Sequence, residues 1–144
     1  MHITPAPLSA TGERAVLPLH TIEDVLLARV VARAAAVRLG FPPVAVSQIT
    51  TAVAEATRNV VQHANAPGHL HLSCCEQPGQ LALELRITDT GTGLADSSAA
   101  ISDESPGAGL PSCRRLMDDF KLESASPGGT TLTMRKWLPN ACAD

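Results

Sequence analysis

The hydrophobic period of this chain switches sharply at Asn65-Ala66-Pro67-Gly68, and the switch restricts the fold more than any other feature. Upstream, Val46, Ile49, Val53, Ala56 and Val60 recur every three or four positions, the spacing of one helix face. The helix predicted there runs from about Val44 to His63. Downstream the period is two. Leu70, Leu72 and Cys74 share one face of a strand, Gln77-Pro78-Gly79-Gln80 reads as a turn, and Leu81, Leu83, Leu85 and Ile87 alternate with Ala82, Glu84 and Arg86. A hairpin with one apolar face must bury that face against another layer, and an amphipathic helix is the obvious cover.

The flanking segments extend the same plan. Glu13 to Leu19 reads as a short edge strand, because Pro18 is tolerated at an edge and not in a sheet centre. Thr21 followed three residues later by Asp24 has the form of a helix N-cap. A helix of about eighteen residues follows, with Ile22, Val25, Leu26, Val30, Ala34 and Val37 on one stripe. Gly40-Phe41-Pro42-Pro43 stops it. A third helix is predicted from Gly109 to Phe120, carrying Leu110, Cys113, Leu116 and Met117, and two further strands near Lys121–Ala125 and Thr130–Leu138. The expected fold is α+β: a two-layer sandwich with three main helices on one face of a mostly antiparallel mixed sheet. Residues 1–12 read as a leader and 13–144 as one domain, as suits a chain of 144 residues.

Composition excludes several functions. Phe41, Phe120 and Trp137 are the only aromatic residues, too few for base-stacking platforms. A net charge of −3 with no dense basic patch argues against nucleic acid as a partner. The apolar stretch from Val25 to Phe41 is broken by Arg29, Arg33 and Arg38, so no membrane span is expected. Cys74, Cys75, Cys113 and Cys142 lack zinc-ribbon spacing and read as free thiols of a reducing cytoplasm. His69, His71 and Cys75 share a strand face, which is read as a solvated face rather than a metal site.

Three separated features carry chemistry. Glu55 and Asn59 are an i, i+4 pair beside the apolar stripe of the second helix, where a carboxylate and a carboxamide can meet a ligand at the edge of the core. The strand ending at Thr88 opens into Asp89-Thr90-Gly91-Thr92-Gly93, an acid able to accept from an exocyclic amine next to glycines that allow close backbone approach. Gly107-Ala108-Gly109-Leu110 leads into a helix, where unpaired amides and the helix dipole favour phosphate. Its spacing is neither the P-loop nor the dinucleotide fingerprint. The loop between Asp89 and Pro106 is long, and long loops of this kind are usually functional.

In this order, and followed by Gly128-Gly129-Thr130 before the last strand, these motifs resemble the GHKL ATP-binding fold, the Bergerat fold of gyrase, MutL, histidine kinases and anti-sigma kinases. The resemblance covers about residues 13–138. Within that superfamily RAAAVRLGF, ITTAVAEATRNVVQHA, GAGLPSCRRLMDDF and TTLTMRKW are similar to RsbT-type switch kinases. The resemblance implies an ATP- and magnesium-dependent serine/threonine kinase acting on a STAS-domain antagonist protein in a partner-switching pathway, and able to activate a phosphatase by contact. It implies that Asn59 holds magnesium on the ATP phosphates and that Glu55 accepts the substrate hydroxyl proton. Arg58 is assigned to phosphate or partner contacts, Asp89 to the adenine amino group, and Gly91 and Gly93 to the floor of that pocket. Gly107 and Gly109, with Leu110 beside them, would meet the phosphates, and Thr130 would support adenine. Two alternatives stay open: an RsbW/SpoIIAB-like anti-sigma factor that sequesters a sigma factor, and a partner-binding module without ATP turnover. Asp103 and Glu104 set acids close to the expected phosphate, which raises the cost of binding unless a cation intervenes. The sequence leaves open whether the protein is a monomer or a homodimer.

Overall fold

Residues 14–63, 67–90, 109–124 and 129–139 are described by the computed structural model. In chain order they form β1 (Arg14–Leu19), α1 (Ile22–Leu39), α2 (Pro43–His63), β2 (Gly68–Gln77), β3 (Gln80–Asp89), α3 (Gly109–Leu116), β4 (Asp119–Ser124) and β5 (Thr130–Pro139). The strands make one sheet in the order β1-β2-β3-β5-β4, with β1 at an edge as Pro18 requires. Every neighbouring pair is antiparallel, so the described sheet is not mixed. The connection through α3 does return β4 in the direction of β3, but β5 lies between them.

Alternation sorts the strand residues into two faces. One row of Leu17, Leu70, Ile87, Leu132 and Leu122 crosses all five strands in register beneath the helices. The predicted face of α2 closes onto this side: Ile49, Val53, Ala56 and Val60 are buried in the same core as Leu70, Leu85 and Leu132. The opposite face of the sheet is less simple than strict alternation suggests. Ala82 and Glu84 are buried there too, and Arg135 Nε donates to Glu84 Oε1 at 2.8 Å. That bond favours the charged guanidinium and pushes the Arg135 pKa up.

The first helix begins as expected and buries a different face. Thr21 and Asp24 form a reciprocal capping box, with Asp24 N–H donating to Thr21 Oγ1 and Asp24 Oδ2 accepting from the Thr21 N–H. Gly40, at φ 97°, closes the other end. The expected stripe of Ile22, Val25, Leu26, Val30, Ala34 and Val37 is not the core face. Of these only Val25 is buried, and the inward residues are Ala28, Ala32, Ala35 and Ala36. The reason is spatial: α1 packs along α2 rather than down on the sheet, and small side chains let two helices approach closely.

The third helix is shorter than predicted, ending at Leu116 rather than Phe120. Its stop comes from β5. Lys136 Nζ donates to the Leu116 carbonyl at 2.6 Å, and the Asp118 N–H turns to the Arg135 carbonyl at 3.0 Å. Phe120 therefore lies on β4, partly buried against the core. Trp137 lies outside the core cluster. It projects from the other sheet face, and its indole Nε1–H donates to Asp119 Oδ2 at 2.7 Å.

The capping box gives a pH-dependent prediction. Asp24 Oδ2 accepts from the backbone N–H groups of His20 and Thr21, which lower its pKa below the ordinary carboxylate value. A carboxylate with a lowered folded pKa contributes stability above its unfolded pKa, and that stability is lost as pH falls through the folded value. The melting temperature of Asp24→Asn should therefore lie below that of the parent at pH 7. The gap should close as pH drops through the acidic carboxylate range; a gap independent of pH would refute the charge-based cap.

Candidate functional site

The site forms where the C-terminal half of α2 crosses the strand ends that carry Asp89 and Thr130. Asp89, the last residue of β3, is directly paired with Thr130, the first of β5, and with Gly68, the first of β2. Asp89 and Thr130 are each 3% exposed. On its other side Gly68 touches α2. A Cβ there would come within 2.6 Å of both Val60 Cγ1 and the Thr88 carbonyl oxygen. Glycine at position 68 thus lets the helix turn holding Asn59 and Val60 settle directly over the Asp89 strand end. Gly129 does the same from β5. Its φ is +98°, and a Cβ would meet the Asp89 carbonyl oxygen at 2.4 Å.

Gly68 enters the sequence reading only as a helix stop and Gly129 only within Gly128-Gly129-Thr130, neither with a role beside Asp89. Register makes them visible, because both flank Asp89 in space. Gly129→Ala should be costly on two grounds, a left-handed backbone and a backbone collision, together about 2 kcal/mol or more. A lowered melting temperature together with a loosened Asp89–Thr130 strand end, seen as faster amide exchange there, is the expected result. Parent-like stability would mean that the close approach is unimportant.

Polar groups are buried at this junction without local use. Asn59 Nδ2 and Thr130 Oγ1 are shielded from solvent and have no hydrogen-bond partner among the described residues. Burying such groups unpaired costs roughly 1–3 kcal/mol each, so their retention points to a ligand that supplies the missing partners. Thr57, by contrast, is buried and satisfied, with Oγ1 donating to the Val53 carbonyl at 2.7 Å. Its role is internal to the helix.

Glu55 and Arg58 line the rim of the same helix. Arg58 Nη1 donates to Glu55 Oε2 at 3.0 Å, and both side chains are partly exposed. Cys113 of α3 donates its thiol to the Ala52 carbonyl at 3.2 Å, one helical turn before Glu55. Burial, and secondarily the Glu55 charge, push the Cys113 pKa up to about 12. That thiol is protonated and structural, and it fixes α3 against the Glu55 segment. Leu110, in the first turn of α3, is buried in the core and secures the helix start instead of presenting a polar group.

The structure thus brings together Asn59, Asp89 and Thr130 through helix and strand packing, with Glu55 and Arg58 on the adjoining turns of α2. Gly109 opens α3. Gly91, Gly93 and Gly107 lie outside the described residues, as do Asp103 and Glu104. No group of three or more His, Cys, Asp or Glu able to hold a metal occurs among the described residues, and the rings of His69 and His71 stand 6.4 Å apart. No described helix is long and apolar enough to cross a membrane.

Comparison with known proteins agrees with this geometry. The family described as histidine kinase-like ATPase domain matches residues 20–136. The serine/threonine-protein kinase RsbT of Bacillus subtilis (strain 168) is 35% identical over 120 residues, covering 80% of this chain and 90% of the relative. An anti-sigma F factor of Priestia megaterium is 30% identical over 108 residues, 67% of this chain and 73% of that protein. Among solved structures, the RsbU and RsbW domains of a Mycobacterium tuberculosis protein superpose with a TM-score of 0.60 at 17% identity, over 90% of this chain and 34% of that one. The SiaB–SiaC complex of Pseudomonas aeruginosa gives 0.55 at 14% identity, over 88% and 89%. The fold is shared with both structures. The chain belongs to the histidine kinase-like ATPase family, within the branch that holds RsbT-type kinases and anti-sigma factors.

Proposed function

We propose that this chain is a protein serine/threonine kinase of switch type, using ATP and magnesium to phosphorylate a STAS-domain antagonist protein in the cytoplasm, with residues 13–144 acting as one catalytic domain. The observation that carries the reading is the buried, unpaired pair of Asn59 Nδ2 and Thr130 Oγ1 around the Asp89 strand end, beside a partly exposed Glu55. The similarity to RsbT supports the kinase assignment.

Each residue has a task that its position permits. Asp89 accepts from the adenine amino group, and Thr130 adds a hydroxyl at the same strand end. Gly91 and Gly93 shape that pocket, and Gly107 and Gly109 offer amides to phosphate. Asn59 suits magnesium through its side-chain oxygen, a hard neutral donor; the bound ion would spread the charge of the transferring phosphoryl group. Glu55 takes the proton from the attacking serine hydroxyl as its oxygen bonds to the γ-phosphorus and the bond to the β-phosphate oxygen breaks. Arg58 holds the Glu55 carboxylate on the helix rim and, partly exposed itself, is assigned to phosphate or partner contacts.

Magnesium-dependent ATP binding near the micromolar range, about −8 kcal/mol, is expected by calorimetry. No heat with ATP or ADP at millimolar concentration would sink the nucleotide assignment. Label transfer from ATP to a cognate STAS protein then tests the kinase, and stimulation of a partner phosphatase tests the contact role. The resemblance to an anti-sigma F factor favours a second reading, sequestration of a sigma factor. Retention of a sigma factor on the immobilised protein, reversed by the STAS protein, would select it.

A further inference from the structure

Glu55 and Arg58 neutralise each other in the structure. Arg58 Nη1 donates to Glu55 Oε2 at 3.0 Å, and neither side chain has another hydrogen-bond or ion-pair partner among the described residues. A guanidinium presents its N–H donors as a planar fork, and this single bond leaves most of them unused. Helix geometry orders the neighbours. Arg58, three residues on, lies to one side of Glu55, and Asn59, four residues on, lies to the other.

The charges around the site make that pairing consequential. Across Pro43–His63, α2 carries Arg58 and no other arginine or lysine. Asn59 and Thr130 bring no charge, and Glu55 and Asp89 are acids. Among these residues the guanidinium is the single cation that can meet an incoming polyphosphate. In the structure it is engaged by the very carboxylate assigned to proton acceptance. A phosphate oxygen and Glu55 Oε2 therefore compete for one donor. A terminal phosphate carries more charge than a carboxylate and suits the guanidinium fork. A partly exposed ion pair is weak enough to give way to it.

We propose that Arg58 is a two-position residue: it latches Glu55 in the nucleotide-free protein and passes to the γ-phosphate when ATP binds. The move frees the Glu55 carboxylate for the serine hydroxyl and sets a cation on the group to be transferred. One event thus prepares both base and phosphate. ADP lacks the γ-phosphate and leaves the latch closed. The switch rests on the kinase reading above and adds to it that the site keeps its base engaged until it is loaded.

The test is calorimetry of the full chain with ATP and with ADP, both in magnesium. Arg58→Ala should bind ATP about tenfold more weakly, the size of a lost bond between charged groups, and hold ADP within about twofold. Arg58→Lys should recover part of the loss, as a point charge without the fork. Glu55→Ala should gain about two- to threefold for ATP, which no longer displaces a carboxylate, and gain nothing when Arg58 is already alanine. Both side chains are partly exposed, so melting temperatures should stay near that of the parent and confirm folding. The Arg58 guanidinium NMR signal, identified by its loss in Arg58→Lys, should move with ATP and stay in place with ADP. Equal losses for the two nucleotides, or a preference for ATP that Arg58→Ala leaves unchanged, would overturn the switch while nucleotide binding stands. A Glu55→Ala gain of the same size with and without Arg58 would reduce the pair to charge repulsion and overturn the latch. A parent that binds neither nucleotide would overturn the nucleotide assignment and the switch together.

Discussion

Asn59→Ala is expected to reduce phosphoryl transfer by at least about a thousandfold, about 4 kcal/mol of transition-state stabilisation, without weakening the fold. The two halves of this expectation come from the two ends of one carboxamide. Asn59 Nδ2 is buried and unpaired among the described residues, so the carboxamide is a burden on the protein without ligand. Truncating it removes that burden, and the melting temperature should hold or rise. The same truncation removes the neutral side-chain oxygen proposed to hold magnesium. Magnesium should then cease to strengthen ATP binding in calorimetry, while the contacts proposed between adenine and Asp89 and Thr130 keep a weaker, metal-independent affinity. A variant that phosphorylates the STAS protein at the parent rate would refute the assignment. A variant that loses activity by melting would instead make Asn59 structural.

The placement of the candidate-site residues was more legible than the packing around them, for physical reasons. Asp89 lies at the end of a strand whose alternation is clean, and Glu55 and Asn59 lie on a helix with an unmistakable core face, so period and spacing locate all three. In α1 the same method selected the wrong face. It weights large apolar residues, whereas Ala28, Ala32, Ala35 and Ala36 were chosen for closeness to α2, and alanine gives little periodic signal. The end of α3 was illegible for another reason. Leu116-Met117-Asp118-Asp119-Phe120 contains no glycine or proline, and the stop is imposed from β5 by Lys136 and by the Arg135 carbonyl. Tertiary hydrogen bonds of that kind leave no local trace. Gly68 and Gly129 fall between the two cases: as turn residues they are ordinary, and only strand register shows that both make room beside Asp89.

Glu55 should behave differently from Asn59, and the contrast separates binding from chemistry. Its carboxylate is partly exposed and bonded to Arg58 at 3.0 Å, whereas Asp89 and Thr130 are buried. Glu55→Ala is therefore expected to leave ATP affinity within about threefold while the transfer rate falls by roughly 10²–10⁴, the usual contribution of a positioned general base. Loss in rate without loss in binding marks a group that acts in the transition state. Glu55→Gln sharpens the test, since it keeps the shape and a bond to Arg58 but cannot accept the serine proton. If the glutamine variant is as slow as the alanine variant, proton acceptance is the role. If it retains most of the rate, Glu55 works by holding Arg58, and Arg58→Ala should then reproduce the defect. Equal losses of affinity and rate in Glu55→Ala, with a lowered melting temperature, would place Glu55 in the scaffold that Cys113 and Ala52 build between α2 and α3.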